Sequence, residues 1–154
     1  MTDYFYDTLE TELGLMAIKA TSASIKSIHF VDESSRVNPN EVTALAKQQL
    51  DEYFAKTRKN FDLPMDADGT DFQKKVWQQL VRIPYGQTCT YGDIANAINN
   101  PKGMRAVGLA NGKNPLTIVV PCHRVIGANG KLTGYAHGTQ RKAQLLSLES
   151  DSLF

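Results

Sequence analysis

The spacing of hydrophobic positions changes several times along the chain. Within the first 31 residues, three stretches rich in β-branched and aromatic residues predict strands of an antiparallel sheet: Asp3 to Thr8, Gly14 to Lys19 and Ser24 to Val31. From Asn40 to Lys56 the spacing becomes helical, through Val42, Leu45, Ala46, Leu50, Tyr53 and Phe54, with Asn40 placed to cap the start. One amphipathic helix is therefore expected to cover the sheet. Arg58 to Asp68 is polar, contains a proline and shows no periodicity, so it reads as a linker.

The second half is punctuated by caps and breakers. Thr70 and Gln73 are spaced to satisfy each other's backbone donors in a capping box. The helix they open has a stripe of Phe72, Val76, Trp77, Leu80 and Val81, and Ile83-Pro84-Tyr85-Gly86 stops it. Trp77 on this stripe is expected in the core rather than as a platform for stacking bases. A second box, Thr90 to Asp93, opens a short helix carrying Ile94, Ala97 and Ile98, which Asn99-Asn100-Pro101 breaks. Lys102 to Asn111 predicts the next helix. Two short helices joined by turn-forming residues have the form of a helix-turn-helix, a pattern that helical hairpins in ordinary cores share. The apolar run Leu116 to Val120 reads as a strand, and Thr139 to Leu148 as a final helix. The expected organisation is an α/β lobe over residues 1–68, linker included, followed by a mainly helical domain with a helix-turn-helix over residues 69–154.

Charge adds direction to this picture. The formal net charge of the 154 residues is only +1. Residues 1–68 hold 7 Lys/Arg against 12 Asp/Glu, and residues 69–154 hold 10 against 4, so the halves carry −5 and +6. A polyanion is expected to meet the second half, where Lys and Arg facing phosphates would release counterions. A chain of this length buries enough surface to hold a core without cross-links. No apolar run approaches the roughly 18 residues of a membrane span, and the N-terminus has neither a basic start nor an apolar segment. The expected location is the cytoplasm, with Cys89 and Cys122 as free thiols.

Candidate chemistry concentrates in Pro121-Cys122-His123-Arg124-Val125. A thiol reacts as its thiolate, which needs a nearby base or cation at neutral pH, and His123 is adjacent in sequence. Neighbours on a strand point to opposite faces, so contact requires a turn at Pro121. A buried, inert cysteine is the competing reading. His29, His123 and His137 are scattered and no ligand spacing surrounds Cys122, so no metal is expected. Cys89, between Gly86-Gln-Thr and Thr90, has no polar partner in its surroundings and is expected to be structural.

Taken together, these segments resemble the O6-alkylguanine-DNA alkyltransferase family, the methylated-DNA–protein-cysteine methyltransferases. The resemblance spans most of residues 70–149. It rests on Phe72-Gln73, Ile83-Pro84-Tyr85-Gly86, Thr90-Tyr91, Asn100-Pro101, Arg105-Ala106-Val107-Gly108, Asn114-Pro115, Pro121 to Val125 and Leu132-Thr-Gly-Tyr135. It implies a ribonuclease-H-like first lobe and a winged helix-turn-helix-like second domain. It also implies a repair protein that flips O6-alkylguanine, and O4-alkylthymine, out of double-stranded DNA and moves the alkyl group irreversibly to Cys122, once per molecule and with no cofactor.

Position by position, the resemblance makes His123 the histidine that activates Cys122 through a water, Glu149 its orienting carboxylate and Asn114 the hinge that holds the site. Tyr91 becomes the donor towards guanine N3, and Arg105 the cation that fills the gap left by the flipped base. Ala106 and Gly108 become the small residues that let the second helix approach the minor groove, with Arg124 a further DNA contact. Tyr135, Ala136 and Val125 line the alkyl pocket. Where the family continues after its tyrosine with a small residue and two glycines, this chain has Ala136-His137-Gly138. A monomer is expected, and the residues leave cooperative assembly on DNA open. Two rivals predict differently. A non-catalytic base-flipping module lacks the thiol that Cys122 provides, and a cysteine hydrolase using Cys122, His123 and Glu149 would turn over repeatedly and have no use for Arg105. The alkyl-transfer reading requires the Cys122 sulfur to be held ionised beside an imidazole, in a pocket that an everted base can reach.

Overall fold

Alternation of inward and outward side chains builds the first unit. In the computed structural model, which describes residues 3–133 and 135–150, β1 (Phe5–Thr11), β2 (Gly14–Ala20) and β3 (Ile25–Val31) form an antiparallel sheet in the order β1-β2-β3. Leu9, Met16, Ile18, Ala20, Ile25, Ile28 and Phe30 supply its buried positions. Helix α1 (Glu41–Phe54) lays Ala46, Gln49, Leu50 and Tyr53 inward at three- and four-residue steps. Its start is fixed by Asn40, whose side chain accepts from the Thr43 backbone while the Thr43 hydroxyl accepts from the Asn40 N–H. The expected linker is tethered rather than loose. The Gln49 amide exchanges two 2.9 Å hydrogen bonds with the Asp62 backbone, and Ile25 bonds Pro64 and Asp66 on either side of Met65.

The chain divides into two compact units. Met1–Asp68 goes with Pro115–Thr117, and Gly69–Asn114 with Ile118–Phe154. Pro115–Thr117 joins the first unit through Ile28, whose N–H donates to Pro115 at 2.8 Å and whose carbonyl accepts from Thr117 at 3.1 Å. Leu116 and Thr117 therefore make only isolated bridge contacts, and the expected strand from Leu116 to Val120 does not form.

The second unit is mainly helical. Helices α2 (Asp71–Leu80) and α3 (Tyr91–Ala97) both open on the expected capping boxes. Trp77 is buried and donates its indole N–H to the carbonyl of Ala110, on the helix after α3, at 2.9 Å, so it ties these two helices together as core. Asn99 sits in the left-handed region at φ 59°, a conformation asparagine tolerates, and ends α3. Helix α4 (Met104–Gly112) starts two residues later than expected and leaves Lys102 outside it, because Gly103 forms the cap. A Cβ at Gly103 would lie 2.5 Å from the Asn100 amide and 3.1 Å from the Asn100 carbonyl, so a side chain there requires Asn100 to shift. Strands β4 (Cys89–Thr90) and β5 (Val125–Ile126) pair in parallel, and α5 (Thr139–Ser150) closes the described chain. The order is the expected one, an antiparallel sheet with a helix and then a helical domain. Gly134, inside the Leu132 to Tyr135 motif, lies outside the described residues. Among the described residues no helix is long and apolar enough to cross a membrane.

Candidate active site

Cys122 opens a single 3-10 turn, Cys122–Arg124, directly after Pro121. Successive side chains on such a turn are rotated by about a third of a revolution, so Cys122, His123 and Arg124 fan out instead of alternating as on a strand. The approach to this turn is strained. Ile118, completely buried, has φ 73°, an outlier for a β-branched residue that costs on the order of 1–3 kcal/mol and must be held by its surroundings. Asn114 contributes to the hold. Its Nδ2 donates to the Val120 carbonyl at 2.7 Å, which also receives the Cys122 N–H at 2.8 Å, and its side chain hydrogen-bonds the Cys122 thiol. Asn111, buried on α4, donates to the Cys122 carbonyl at 3.3 Å.

Glu149, on the last turn of α5, is enclosed by donors. Its Oε2 accepts from His123 Nε2 at 2.7 Å and Arg124 Nη2 at 2.9 Å, while Oε1 accepts from Arg124 Nε at 2.8 Å. Arg124 spends a third donor on the Ile83 carbonyl at 2.7 Å. This corrects the expectation for Arg124. With the residue buried and its guanidinium engaged inside the protein, it is not available to a DNA phosphate. It is the bidentate partner that fixes Glu149.

The electrostatics follow from this enclosure. Burial pushes the Glu149 carboxyl up, but the hydrogen bonds and charges of His123 and Arg124 outweigh it and hold the group at about 2. His123 is lowered, because burial disfavours the imidazolium more than Glu149 favours it. A carboxylate can only accept, so Nε2 carries the proton and Nδ1 keeps its lone pair. Nδ1 is buried and makes no hydrogen bond among the described residues. Both shifts make the unfolded chain bind more protons than the folded one below their ordinary values, so stability rises with pH there. The His123 contribution is complete above its ordinary 6.5 and declines below it, and the Glu149 contribution declines as pH falls from 4.5 towards about 2. Urea midpoints measured from pH 7 down to pH 3 are expected to fall in these two successive stages, and a midpoint unchanged across that range would contradict the enclosure.

Cys122 departs from expectation in two respects, one being that it does not line the cavity between α3 and α4. It is 6% exposed, and burial pushes its thiol up to about 11 against the lowering effects of the Asn114 bond and the Lys142 charge. The resting group is a neutral thiol rather than a held thiolate. Its proton must leave as the sulfur reacts, and the Nδ1 lone pair of the adjacent imidazole is the base of suitable form. Cys89 is half-buried and also pushed up to about 11, by burial and by Asp93, and no imidazole accompanies it.

Tyr91 and Arg105 meet at a mostly apolar cavity of about 620 Å³ between α3 and α4, with Gly92, Met104, Gly108 and Thr133 among its walls. Arg105 and Ala106 are exposed on α4, and Gly108 faces the Tyr91 ring at 3.9 Å from where a Cβ would stand. Tyr91 donates its hydroxyl to the Thr133 carbonyl at 2.6 Å. Tyr135 is buried with its hydroxyl unpartnered among the described residues, and its ring stands edge-on to His137 at 5.8 Å. Ala136 is exposed beside it. Val125 is completely buried, donates its N–H to the Cys122 carbonyl and does not line this cavity. Among the described residues no group of three or more His, Cys, Asp or Glu is placed to hold a metal ion. Sequence reasoning passed over Lys142, Asn111 and the Thr133 carbonyl, all of which contact this region.

Residues 71–151 match the family model described as 6-O-methylguanine DNA methyltransferase, DNA binding domain, and residues 4–67 match the ribonuclease-like domain of the same methyltransferase. A methylated-DNA–protein-cysteine methyltransferase of Methanosarcina acetivorans is 47% identical, over 94% of this chain and 97% of that protein. The crystal structure of Mycobacterium tuberculosis O6-methylguanine methyltransferase superposes with a TM-score of 0.90 at 41% identity, covering 99% of this chain and 96% of that one. The structure of Mycobacterium tuberculosis OGT in complex with DNA gives 0.89 at 44% identity, covering 96% and 94%.

Proposed function

The chain belongs to the 6-O-methylguanine DNA methyltransferase family, and from that premise we propose that it repairs DNA by moving an alkyl group from O6-alkylguanine to its own Cys122. The observation that supports this reading is a 3-10 turn on which Cys122 and His123 are consecutive, with the His123 Nε2 locked by a buried Glu149–Arg124 pair and its Nδ1 left unbonded among the described residues. Such a lock fixes the tautomer that leaves a base free on the near side.

The reaction balances with groups already present. The Cys122 proton passes to His123 Nδ1, directly or through one water, as the sulfur attacks the alkyl carbon. A carbon–sulfur bond forms, the bond from that carbon to guanine O6 breaks, and its electron pair moves into the purine. Tyr91 gives its proton to N3 so that the base leaves neutral, and the imidazolium then reprotonates the Tyr91 oxygen through solvent. A thioether has no leaving group that water displaces under mild conditions, so each molecule acts once. O4-alkylthymine offers the same electrophilic carbon.

The partner in this reading is double-stranded DNA; a related protein of known structure is in complex with DNA. Extruding a base costs a few kcal/mol, and in this reading Arg105, exposed at the cavity rim, fills the gap and offsets part of that. Ala106 and Gly108 keep α4 thin enough for the minor groove, whose degenerate pattern implies little sequence preference. Asn114 holds the turn, while Tyr135 and Ala136 close over the everted base. The protein acts as a monomer in the cytoplasm.

Titrating a fixed amount of protein with duplex containing one O6-methylguanine tests the stoichiometry. Repaired lesions are expected to rise to one per protein molecule and stop. Continued repair beyond that ratio would favour a turnover enzyme such as a hydrolase and remove this reading.

A further inference from the structure

Lys142 is a charged side chain with no exposure at all. It lies on α5 in the same buried stripe as Leu145, Leu148 and Glu149. Burying an ammonium is costly unless an opposite charge or several acceptors compensate it. Among the described residues its ammonium makes one hydrogen bond, to the Thr133 carbonyl at 2.8 Å, and pairs with no carboxylate. It also stands 5.8 Å from the centre of the Tyr91 ring, within cation–π range.

That same carbonyl accepts the Tyr91 hydroxyl at 2.6 Å. In the resting protein Tyr91 therefore directs its proton to the backbone, not to the cavity. Serving a base requires it to leave Thr133, and Lys142 then remains as the donor there. The alkyl transfer described above creates two anions in succession, one on the Cys122 sulfur and one on the Tyr91 oxygen. Lys142 faces both. We propose that Lys142 is a positioning residue for the transfer: its buried ammonium keeps the Thr133 carbonyl in place when Tyr91 turns to the base, and it is the positive charge against which the sulfur and then the phenol become anionic. This rests on the alkyl-transfer reading.

The surrounding groups are consistent with the assignment. Cys122 and His123 feel Lys142 from the 3-10 turn, and Tyr91 feels it from α3. Tyr135 feels the charges of Cys122, Arg141 and Glu149, and the Glu149 and Arg124 charges offset each other. Burial lowers Lys142 to about 8, opposed by the charge that Cys122 would carry, so the ammonium persists at neutral pH and is lost above it.

The test is the single-turnover transfer rate on O6-methylguanine duplex from about pH 6 to pH 9.5, for wild type, Lys142→Met and Lys142→Arg. Carboxamidomethylation of Cys122 by iodoacetamide is followed in parallel by peptide mass, and thermal unfolding monitors the fold. A missing stabilising charge worth one pKa unit corresponds to a tenfold change, so Lys142→Met is expected to slow both reactions of Cys122 at neutral pH by about tenfold or more. The wild-type rate should decline above about pH 8, and Lys142→Arg, which stays charged, should remove that decline. Wild-type rates and profile in Lys142→Met overturn the proposal, as does a uniform slowing with the decline above pH 8 intact, which would mark a purely structural role. If Lys142→Met does not fold, Lys142→Gln, which keeps a donor for Thr133 but not the charge, is read by the same two outcomes. A wild type that leaves O6-methylguanine untouched would instead refute alkyl transfer, and the iodoacetamide rates still decide the role of Lys142.

Discussion

Replacing Glu149 by glutamine is expected to cost about 3–5 kcal/mol of folding stability, the usual range when one member of a buried ion pair is removed and the other is left behind. The carboxylate now accepts from His123 on one oxygen and from Arg124 on both. An amide has a single acceptor oxygen, so its NH₂ must face a donor of Arg124 or of His123, and no orientation satisfies both. For an unfolding slope of roughly 1–3 kcal/mol per molar urea, the midpoint should drop by more than about 1 M. Transfer should suffer separately. An amide that can donate to Nε2 allows the imidazole to place its proton on Nδ1, where the base is needed, and positioned general bases are typically worth 10²–10⁴-fold in rate. The rate loss should persist at a temperature and urea concentration where the variant is fully folded. A variant with unchanged midpoint and rate would show that Glu149 is a surface acid after all.

Cys122→Ser should abolish transfer to the limit of detection while leaving the fold intact. The hydroxyl is far harder to ionise than the thiol, and at this depth burial already opposes ionisation of the sulfur itself. Cys89 is not expected to substitute. It has the same upward displacement from burial, with Asp93 adding repulsion, and lacks a neighbouring base. Restriction-site recovery on a duplex bearing one lesion measures this directly, and residual repair by Cys122→Ser would place the acceptor elsewhere.

The contrast between sequence and structure is instructive at particular residues. Capping boxes at Thr70 and Thr90 were readable because both partners lie within one helical turn, and the sheet was readable because a two-residue period admits few other folds. The run Leu116 to Val120 misled because its β-branched residues have strand character, whereas tertiary contacts with Ile28 and the left-handed turn at Ile118 decide its path. Lys142 escaped notice because helical-face reasoning assigns charged residues to solvent, so a stripe of Lys142, Leu145, Leu148 and Glu149 reads as two apolar positions only. The resemblance implied a DNA contact for Arg124, which the structure instead turns inward. Its role depends on Glu149, 25 residues away and brought near only by α5. The Thr133 carbonyl is backbone, and no residue type announces which carbonyl two side chains will share.

Alkyl transfer in this protein requires the Cys122 sulfur to be the acceptor. Intact mass spectrometry after mixing the protein with a duplex containing one O6-methylguanine, followed by peptide mapping, measures this directly. One added methyl per molecule is expected, confined to the peptide that carries Cys122, with the DNA restored to guanine. Restored DNA alongside protein of unchanged mass, or a methyl found on any other peptide, would contradict it.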